Sequence, residues 1–202
     1  MLKKYWEDFY STAPKVKTDK WLDKYKFLLK NCNTILDLGC GNGANEDYLK
    51  KIDIFPFACD ISHNAIKIMN ELHPRCETRV VDISEKLPYD DKQINLIIAD
   101  LSLHYFDRET TIKIVEELKR ILNYNGVIIG RVNAIRGIKK DKKFAEIEEN
   151  YYDENGCFRR YFSREDIGKF FYGFNVLVNR ETITSKYGNK KYIIEFLIQK
   201  SY

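Results

Sequence analysis

The sequence predicts an α/β fold: a doubly wound, mostly parallel seven-stranded sheet that ends in an antiparallel C-terminal hairpin. Two observations support this prediction. Between residues 34 and 133, short apolar runs alternate with amphipathic helical stretches, which is the order that builds a parallel sheet. Beyond residue 173, two segments alternate apolar and polar residues on either side of "TSKYGNKK", a pattern typical of a hairpin.

Length and composition fit one domain over residues 1–202, with an N-terminal helix or lid at 1–31 and an excursion at 134–162. The chain is 44% hydrophobic and 32% charged, so it can bury a core. Its apolar runs are too short to cross a membrane, and no apolar secretory leader is apparent. Five cysteines without C-x-x-C spacing indicate neither a zinc site nor a disulfide framework, and no metal is expected. We therefore expect a cytoplasmic protein.

The elements are predicted from their periodicity in chain order. Near the N-terminus, Tyr5, Trp6, Phe9 and Tyr10 recur at helical spacing, so this segment either packs on the next helix or covers a site as a lid. Asp19 could cap that next helix, Ser62 caps a later one, and a capping box opens another at Ser163. Strands are predicted at 34–39, 54–60, 77–82, 94–102, 126–133, 174–183 and 191–200, and helices at 19–30, 44–51, 63–72, 108–122 and 164–172.

The stretch "ILDLGCGNG" indicates a ligand site. Gly39-x-Gly41-x-x-Ala44 matches a dinucleotide-binding fingerprint, although a tight turn without a ligand would also explain the glycines. Asp37 precedes the turn, where its charge would repel a pyrophosphate. Asp60 and Asp82 end the next two strands, where an acidic side chain can accept ribose hydroxyls or reach an adenine amino group. Acids at successive strand ends favour a nucleoside joined to a cationic amino acid.

These motifs resemble a known family. "ILDLGCGNG", "ACDIS", "VVDIS" and "LIIADLSLHYF" are similar, in this order, to the motifs of class I S-adenosylmethionine-dependent methyltransferases. The likeness is greatest to small bacterial members described as tellurite-resistance-like or ubiquinone-biosynthesis-like, and it covers residues 34–132. It implies a Rossmann-like fold with a reversed last strand, and S-adenosylmethionine as the cofactor.

The resemblance also implies which residues contact the cofactor. The glycine loop would surround the methionine portion, the end of the second strand would bind the ribose, and the end of the third would contact adenine. The end of the fourth strand would lie near the methionine portion and the substrate. The residues implied are Asp37, Gly39, Cys40, Gly41, Asn42, Gly43, Asp60, Ile61, Asp82, Ile83, Asp100 and Leu101.

Candidate substrate residues follow the fourth and fifth strands. His104 lies four residues past Asp100 and could act as a general base, or it could be a packed histidine. Tyr105 beside it is a candidate substrate contact, although packing explains an aromatic residue there at least as well. Arg131 and Asn133 could bind a polar or anionic substrate, and the alternative for both is a structural pairing.

Four functions fit these observations to different degrees. The preferred interpretation is a methyltransferase that acts on a small molecule. The second is a nucleic-acid or protein methyltransferase, but the formal charge is only +4 and "ADLS" lacks the Pro-Pro-aromatic loop typical of base methylation. A non-catalytic S-adenosylmethionine-binding protein is the third. A nicotinamide dehydrogenase is the fourth, and Asp37 disfavours it. We expect no membrane partner, and the sequence leaves the oligomeric state open.

Overall fold

A computed structural model describes residues 1–12, 18–138, 144–186 and 189–201. The helices are α1 (Leu2–Ser11), α2 (Lys26–Lys30), α3 (Glu46–Leu49), α4 (His63–Leu72), α5 (Arg108–Ile121) and α6 (Arg164–Phe170). The strands are β1 (Ile35–Leu38), β2 (Phe57–Asp60), β3 (Glu77–Val80), β4 (Ile94–Asp100), β5 (Leu122–Asn133), β6 (Ala145–Glu148), β7 (Tyr151–Asp153), β8 (Phe158–Arg160), β9 (Phe174–Thr184) and β10 (Lys191–Lys200). No helix among the described residues is long and apolar enough to cross a bilayer.

The seven-stranded sheet has the order β3-β2-β1-β4-β5-β10-β9. The first five strands are mutually parallel, whereas β10 lies antiparallel to both β5 and β9. This confirms the predicted mostly parallel sheet and its reversed C-terminal hairpin. The strand order reverses between β1 and β4, and ligands of doubly wound sheets bind at such a point, outside the carboxyl ends of the strands.

Alternate residues of the central strands point into opposite core layers. In β4, Leu96 and Ile98 join a cluster with residues of α2 and α3, whereas Ile97 joins a cluster with residues of α5 and α6. Successive side chains of a strand point to opposite faces, so a continuous apolar run indicates a strand that is covered on both. The continuous apolar run of β4 therefore agrees with its burial on both faces.

A buried carboxylate attaches the N-terminal helical segment to the sheet. Glu195 of β10 is 1% exposed and accepts hydrogen bonds from Lys24 Nζ at 2.7 Å, Tyr25 Oη at 2.6 Å and Arg180 Nη2 at 2.6 Å. Burial by itself would raise the pKa of Glu195, but these donors outweigh it and lower the pKa below its usual value. The segment around Tyr25 is thereby held at the sheet near the reversed strand.

Two helix boundaries differ from the prediction. The first turn after residue 19 is not helical: a 3-10 turn at Asp23–Tyr25 precedes α2. The helix after the glycine loop is only Glu46–Leu49, followed by a 3-10 turn at Lys50–Ile52, so it begins two residues later than the predicted start at residue 44. The caps predicted at Ser62 and Ser163 are confirmed: each hydroxyl accepts from a backbone N–H in the first turn.

The excursion after β5 forms a small sheet, which the sequence did not predict. Strands β6, β7 and β8 pair antiparallel in chain order. Two side chains dock this sheet on the turn that follows β4. Tyr151 Oη donates to the carbonyl oxygen of Tyr105 at 3.3 Å, and Arg160 Nε donates to that of Phe106 at 3.2 Å.

Candidate functional site

A pocket of about 510 Å³, partly open to solvent, lies at the carboxyl ends of β2, β3 and β4. Its lining combines apolar walls with three carboxylates and contains no lysine or arginine. The lining residues are Leu2, Trp6, Tyr10, Gly39, Asp60, Ile61, Val81, Asp82, Ile83, Asp100, Leu101, Ser102, Tyr105 and Phe106. Such a lining suits a ligand with an apolar ring, hydroxyl groups and positive charge.

Asp60 connects the pocket wall to the glycine loop. Its Oδ2 accepts from the backbone N–H of Gly41 at 2.9 Å, and its Oδ1 accepts from that of Ser62 at 3.0 Å. Burial raises the pKa of Asp60 to about 6, although these backbone donors oppose the shift. On the neighbouring strand, exposed Asp82 accepts from the backbone and hydroxyl of Ser84. Both carboxylates are therefore held in place by local hydrogen bonds.

Asp100 is the centre of a buried ion-pair network. Its Oδ1 lies 2.6 Å from Arg131 Nε, and its Oδ2 lies 2.6 Å from Lys186 Nζ. Arg131 also pairs with Asp19 at 2.6 Å, and Thr184 Oγ1 donates to that same carboxylate. Burial would raise the pKa of Asp100, but Lys186 and Arg131 outweigh it and hold the pKa well below its usual range. Asp100 is therefore ionised and rigidly oriented.

Two further buried acids, Asp37 of β1 and Glu46 of α3, flank the glycine loop in sequence. Asp37 is fully buried, and its Oδ2 accepts from Asn45 Nδ2 at 2.9 Å, while Trp21 Nε1 donates to Asn45 Oδ1. Asp37 Oδ1 and both carboxylate oxygens of Glu46 are buried without a hydrogen-bond donor among the described residues. Burial raises the pKa of both acids. Asp37 raises the pKa of Glu46 further, whereas Asn45 and Glu46 oppose the rise at Asp37. These acceptors suit a ligand that brings a positive charge to this edge.

Two glycines of the loop are required for different reasons. Gly41 has φ +59°, and a Cβ there would lie 2.3 Å from the hydroxyl of Tyr10. Gly43 has φ +88°, and a Cβ there would lie 2.5 Å from the ring of His73 and 2.9 Å from Met69 Sδ. Side chains rarely adopt a positive φ, so both positions favour glycine. Gly41 thus allows α1 to approach the loop, and Gly43 allows the loop to pack against α4.

Helix α1 covers the pocket. Leu2, Trp6 and Tyr10 are four residues apart, so they share one helix face, and that face lines the pocket. Glu7 fastens the helix to the start of α4: its carboxylate accepts from the hydroxyl of Ser62 and from the backbone N–H of Asn64. The aromatic segment therefore packs on α4 and over the pocket, not on α2, which agrees with the lid interpretation.

The structure brings seven of the predicted cofactor residues to the pocket wall: Gly39, Asp60, Ile61, Asp82, Ile83, Asp100 and Leu101. The other five predicted residues lie outside the described pocket lining: Asp37, Cys40, Gly41, Asn42 and Gly43. Leu101 has φ +62°, a strained conformation for a residue with a side chain, and its N–H donates to the carbonyl oxygen of Arg131. Of the predicted substrate contacts, Tyr105 lines the pocket.

Three predicted substrate-side residues lie elsewhere. Arg131 is 2% exposed and fully engaged with Asp19 and Asp100, so it orients an acid instead of facing a substrate. Asn133 is buried at the end of β5, outside the described lining. His104 also lies outside it, at 3% exposure, with its ring against Tyr105. Burial, with help from the nearby cations Lys191 and Arg159, lowers the pKa of His104 well below its usual value.

Sequence reasoning missed Asp19, Asn45, Glu46 and Lys186 as site residues. The position of Asn45 and Glu46 directly after the glycine loop was an available signal. No signal in the sequence pointed to Lys186, because it lies 86 residues from Asp100, in the connection of a hairpin.

Comparisons with known proteins agree with this geometry. A sequence profile described as a methyltransferase domain matches residues 35–126. A solved S-adenosylmethionine-dependent methyltransferase from Methanosarcina mazei superposes with a TM-score of 0.79 at 18% identity, covering 91% of this chain and 99% of that one. The chain therefore matches a methyltransferase domain over residues 35–126 and has the fold of an S-adenosylmethionine-dependent methyltransferase. The positive charge of S-adenosylmethionine would fit the acid-lined pocket.

Curated relatives of this chain differ in what they act on. The human mitochondrial arginine-hydroxylase NDUFAF5 is 33% identical over 109 residues, which is 54% of this chain and 31% of that protein. The Arabidopsis thaliana tRNA (carboxymethyluridine(34)-5-O)-methyltransferase is 35% identical over 114 residues, 54% of this chain and 27% of that protein. The chain spans about a third of the length of these relatives.

Asp60 should make cofactor affinity depend on pH. Its carboxylate can accept ligand hydroxyls only when it is ionised, and its pKa is about 6. Bound hydroxyls favour the ionised form, so affinity for S-adenosylhomocysteine should fall about tenfold between pH 7 and pH 5. Calorimetric titration checks this. The Asp60→Asn variant should bind S-adenosylhomocysteine more weakly, by about 1–3 kcal/mol, and its affinity should change little with pH. The affinity of the Asp82→Asn variant should keep its pH dependence. An unchanged affinity at pH 5 would contradict the assignment.

Glu7 should control how long the cofactor stays bound. Glu7→Ala removes the charged acceptor that fastens α1 to α4, and such hydrogen bonds contribute about 1.5–3 kcal/mol. We expect S-adenosylhomocysteine to dissociate at least tenfold faster, as measured by stopped-flow fluorescence. Asp8→Ala is the control, because exposed Asp8 pairs only with Lys4 on the same helix among the ion pairs described. Equal rates in the two variants would mean that α1 does not retain the ligand.

Proposed function

We propose that the chain transfers the methyl group of S-adenosylmethionine to a small molecule by in-line displacement. The observation that carries the proposal is the acid-lined pocket beneath α1, whose described walls contain no basic side chain. A cationic cofactor is favoured there, and a polyphosphate is disfavoured. Trp6 of α1 contacts Tyr105 edge to face, with ring centroids 5.4 Å apart, so the cover narrows the access of an acceptor.

The residues at the site would act mainly by orienting the acceptor relative to the methyl group. Bound S-adenosylmethionine would supply an activated methyl group: the acceptor would replace sulfur on the methyl carbon, S-adenosylhomocysteine would leave, and any acceptor proton would be released to bulk solvent. The chain must align the acceptor and exclude water, and orientation of this kind supplies roughly 7–11 kcal/mol. Ionised Asp100 and the cover formed by Leu2, Trp6 and Tyr10 are the groups placed for those tasks.

A nucleic-acid acceptor is the second candidate, favoured by the name of the Arabidopsis relative. The structure supports it less. The described pocket lining contains no lysine or arginine to contact a phosphate backbone, and the formal charge of the whole chain is only +4.

The proposal is tested with the purified chain, labelled cofactor and two acceptor pools: cell metabolites and total tRNA. We expect S-adenosylhomocysteine to bind in calorimetry and a metabolite to become heavier by one CH₂ unit in mass spectrometry. A methylated tRNA would support the second candidate, and a product heavier by one oxygen would contradict both. Ligand binding without any product would indicate a non-catalytic binding protein.

The general-base hypothesis for His104 has a direct test. A general base in this position would accelerate turnover about 10²–10⁴-fold, and its removal would abolish an inflection in the pH profile of turnover. Because the imidazole is buried behind the pocket wall, with a lowered pKa, we expect His104→Gln to reduce turnover less than tenfold. The pH profile of turnover should keep its shape. A loss of a hundredfold or more, with a lost inflection, would restore the catalytic role.

A further inference from the structure

Lys186 is a buried cation next to the wall of the cofactor pocket. Its side chain is 6% exposed, and its Nζ lies 2.6 Å from Oδ2 of Asp100, which lines the pocket. Lys186 itself is not among the described lining residues. It therefore acts on a ligand in the pocket by its charge, and not as part of the wall.

The three carboxylates of the pocket wall are balanced in different ways. Asp60 and Asp82 accept hydrogen bonds from backbone N–H groups and, for Asp82, from a serine hydroxyl, all of which are neutral donors. Asp100 instead has two cationic partners. Besides Lys186, Arg131 donates to it from Nε at 2.6 Å and from Nη2 at 2.9 Å. Among the described ion pairs, Asp100 is thus the pocket acid whose charge is offset by cations.

The ion-pair cluster around Asp100 has no net charge. Asp100 and Asp19 are its two acids, and Arg131 and Lys186 are its two cations. Removal of the Lys186 charge would leave two acids and one cation, which is a net negative charge beside the pocket. Charges in a partly buried site interact strongly, so this change would be felt by a ligand that carries a charge of its own.

The charge of Lys186 also reaches the acids that flank the glycine loop. Burial raises the pKa of Asp37 and of Glu46, and the positive charge of Lys186 opposes both rises. A single ammonium group therefore weakens the negative field of three carboxyl groups at this edge of the sheet. No other lysine or arginine is named among the main influences on both of these acids.

The backbone around Lys186 is tied to the same cluster. The N–H of Lys186 donates to Oγ1 of Thr184 at 3.2 Å, and that hydroxyl donates to Oδ2 of Asp19 at 3.1 Å. Thr184 is the last residue of β9, so the connection to β10 starts at a fixed point. The ammonium is thus positioned before any ligand binds, which avoids an ordering cost on binding.

The two forms of the cofactor differ in charge. S-adenosylmethionine carries a positive sulfur, whereas the sulfur of S-adenosylhomocysteine is neutral. A wall with a net negative charge would bind the methyl donor more tightly than the product. Tight binding of the ground state alone does not accelerate a reaction, so such a preference would not help transfer. A neutral cluster at the end of β4 avoids it.

We propose that Lys186 is a specificity-determining residue, which keeps the pocket from favouring the charged methyl donor over the neutral product. The inference rests on the proposed function, because it concerns how the pocket distinguishes the two forms of that cofactor. The effect comes from the charge at position 186, which offsets Asp100, and not from the shape of the side chain.

Calorimetric titration of the full chain with three ligands provides the first test. The ligands are S-adenosylmethionine, S-adenosylhomocysteine and sinefungin, an unreactive analogue that carries an ammonium group in place of the methylated sulfur. We expect neither charged ligand to bind more than about fivefold more tightly than S-adenosylhomocysteine. A larger preference for either charged ligand overturns the inference.

Two variants separate charge from structure. Lys186→Met removes the charge, and Lys186→Arg keeps it. We expect Lys186→Met to shift the ratio of the two affinities by at least about fivefold toward sinefungin and away from S-adenosylhomocysteine, with the ratio unchanged in Lys186→Arg. A merely structural role would weaken both ligands alike.

A smaller shift in Lys186→Met, or an equal shift in Lys186→Arg, overturns the inference. If Lys186→Met fails to fold, the comparison of the three ligands in the unmodified chain decides alone. Failure of the unmodified chain to bind any of the three ligands would instead refute the proposed function.

Discussion

Buried carboxylates crowd the carboxyl edge of the sheet, and much of the surrounding structure keeps them from destabilising the fold. Asp37, Asp60 and Asp100 end β1, β2 and β4, and all are less than 9% exposed. Parallel strands bring their carboxyl ends to one edge, so like charges are forced together there. Isolated buried charges are costly, and each therefore needs a donor, a cation or a proton. The edge is consequently stable only with compensation, and a cationic ligand supplies part of it.

The chain compensates each acid in a different way. Asp100 is paired with Arg131 and Lys186 and stays ionised, so it can act as a fixed negative charge. Asp60 relies on two backbone N–H groups, which leaves its pKa near neutrality. The pair at the end of β1 keeps three oxygens without donors. The compensation is therefore least complete around the glycine loop, where the methionine portion of the cofactor is expected.

The parts of this arrangement that sequence reasoning could predict are local. An acid at the end of an apolar strand, or a serine before a helix, is determined by neighbours in the chain, and the caps at Ser62 and Ser163 were accordingly correct. The long-range pairs could not be predicted: Arg131 meets Asp19 across 112 residues. The small sheet was missed because its strands are only three or four residues long, too short to show a clear period. The sequence left His104 open between a general base and a packed residue, because sequence position gives the loop but not the direction of the ring.

The residues around the pocket are distributed unevenly along the chain. The range that matches the methyltransferase profile, 35–126, contains β1 to β4 and the acids at or next to the ends of β1, β2 and β4. Helix α1 and the small sheet lie outside that range, yet α1 lines the pocket and the small sheet docks on the turn after β4. Methyl transfer from an activated donor depends mainly on orientation, so segments outside the common range can differ between relatives without disturbing the chemistry. The relatives that share the common range are named for tRNA and for arginine, so the common range alone does not specify an acceptor.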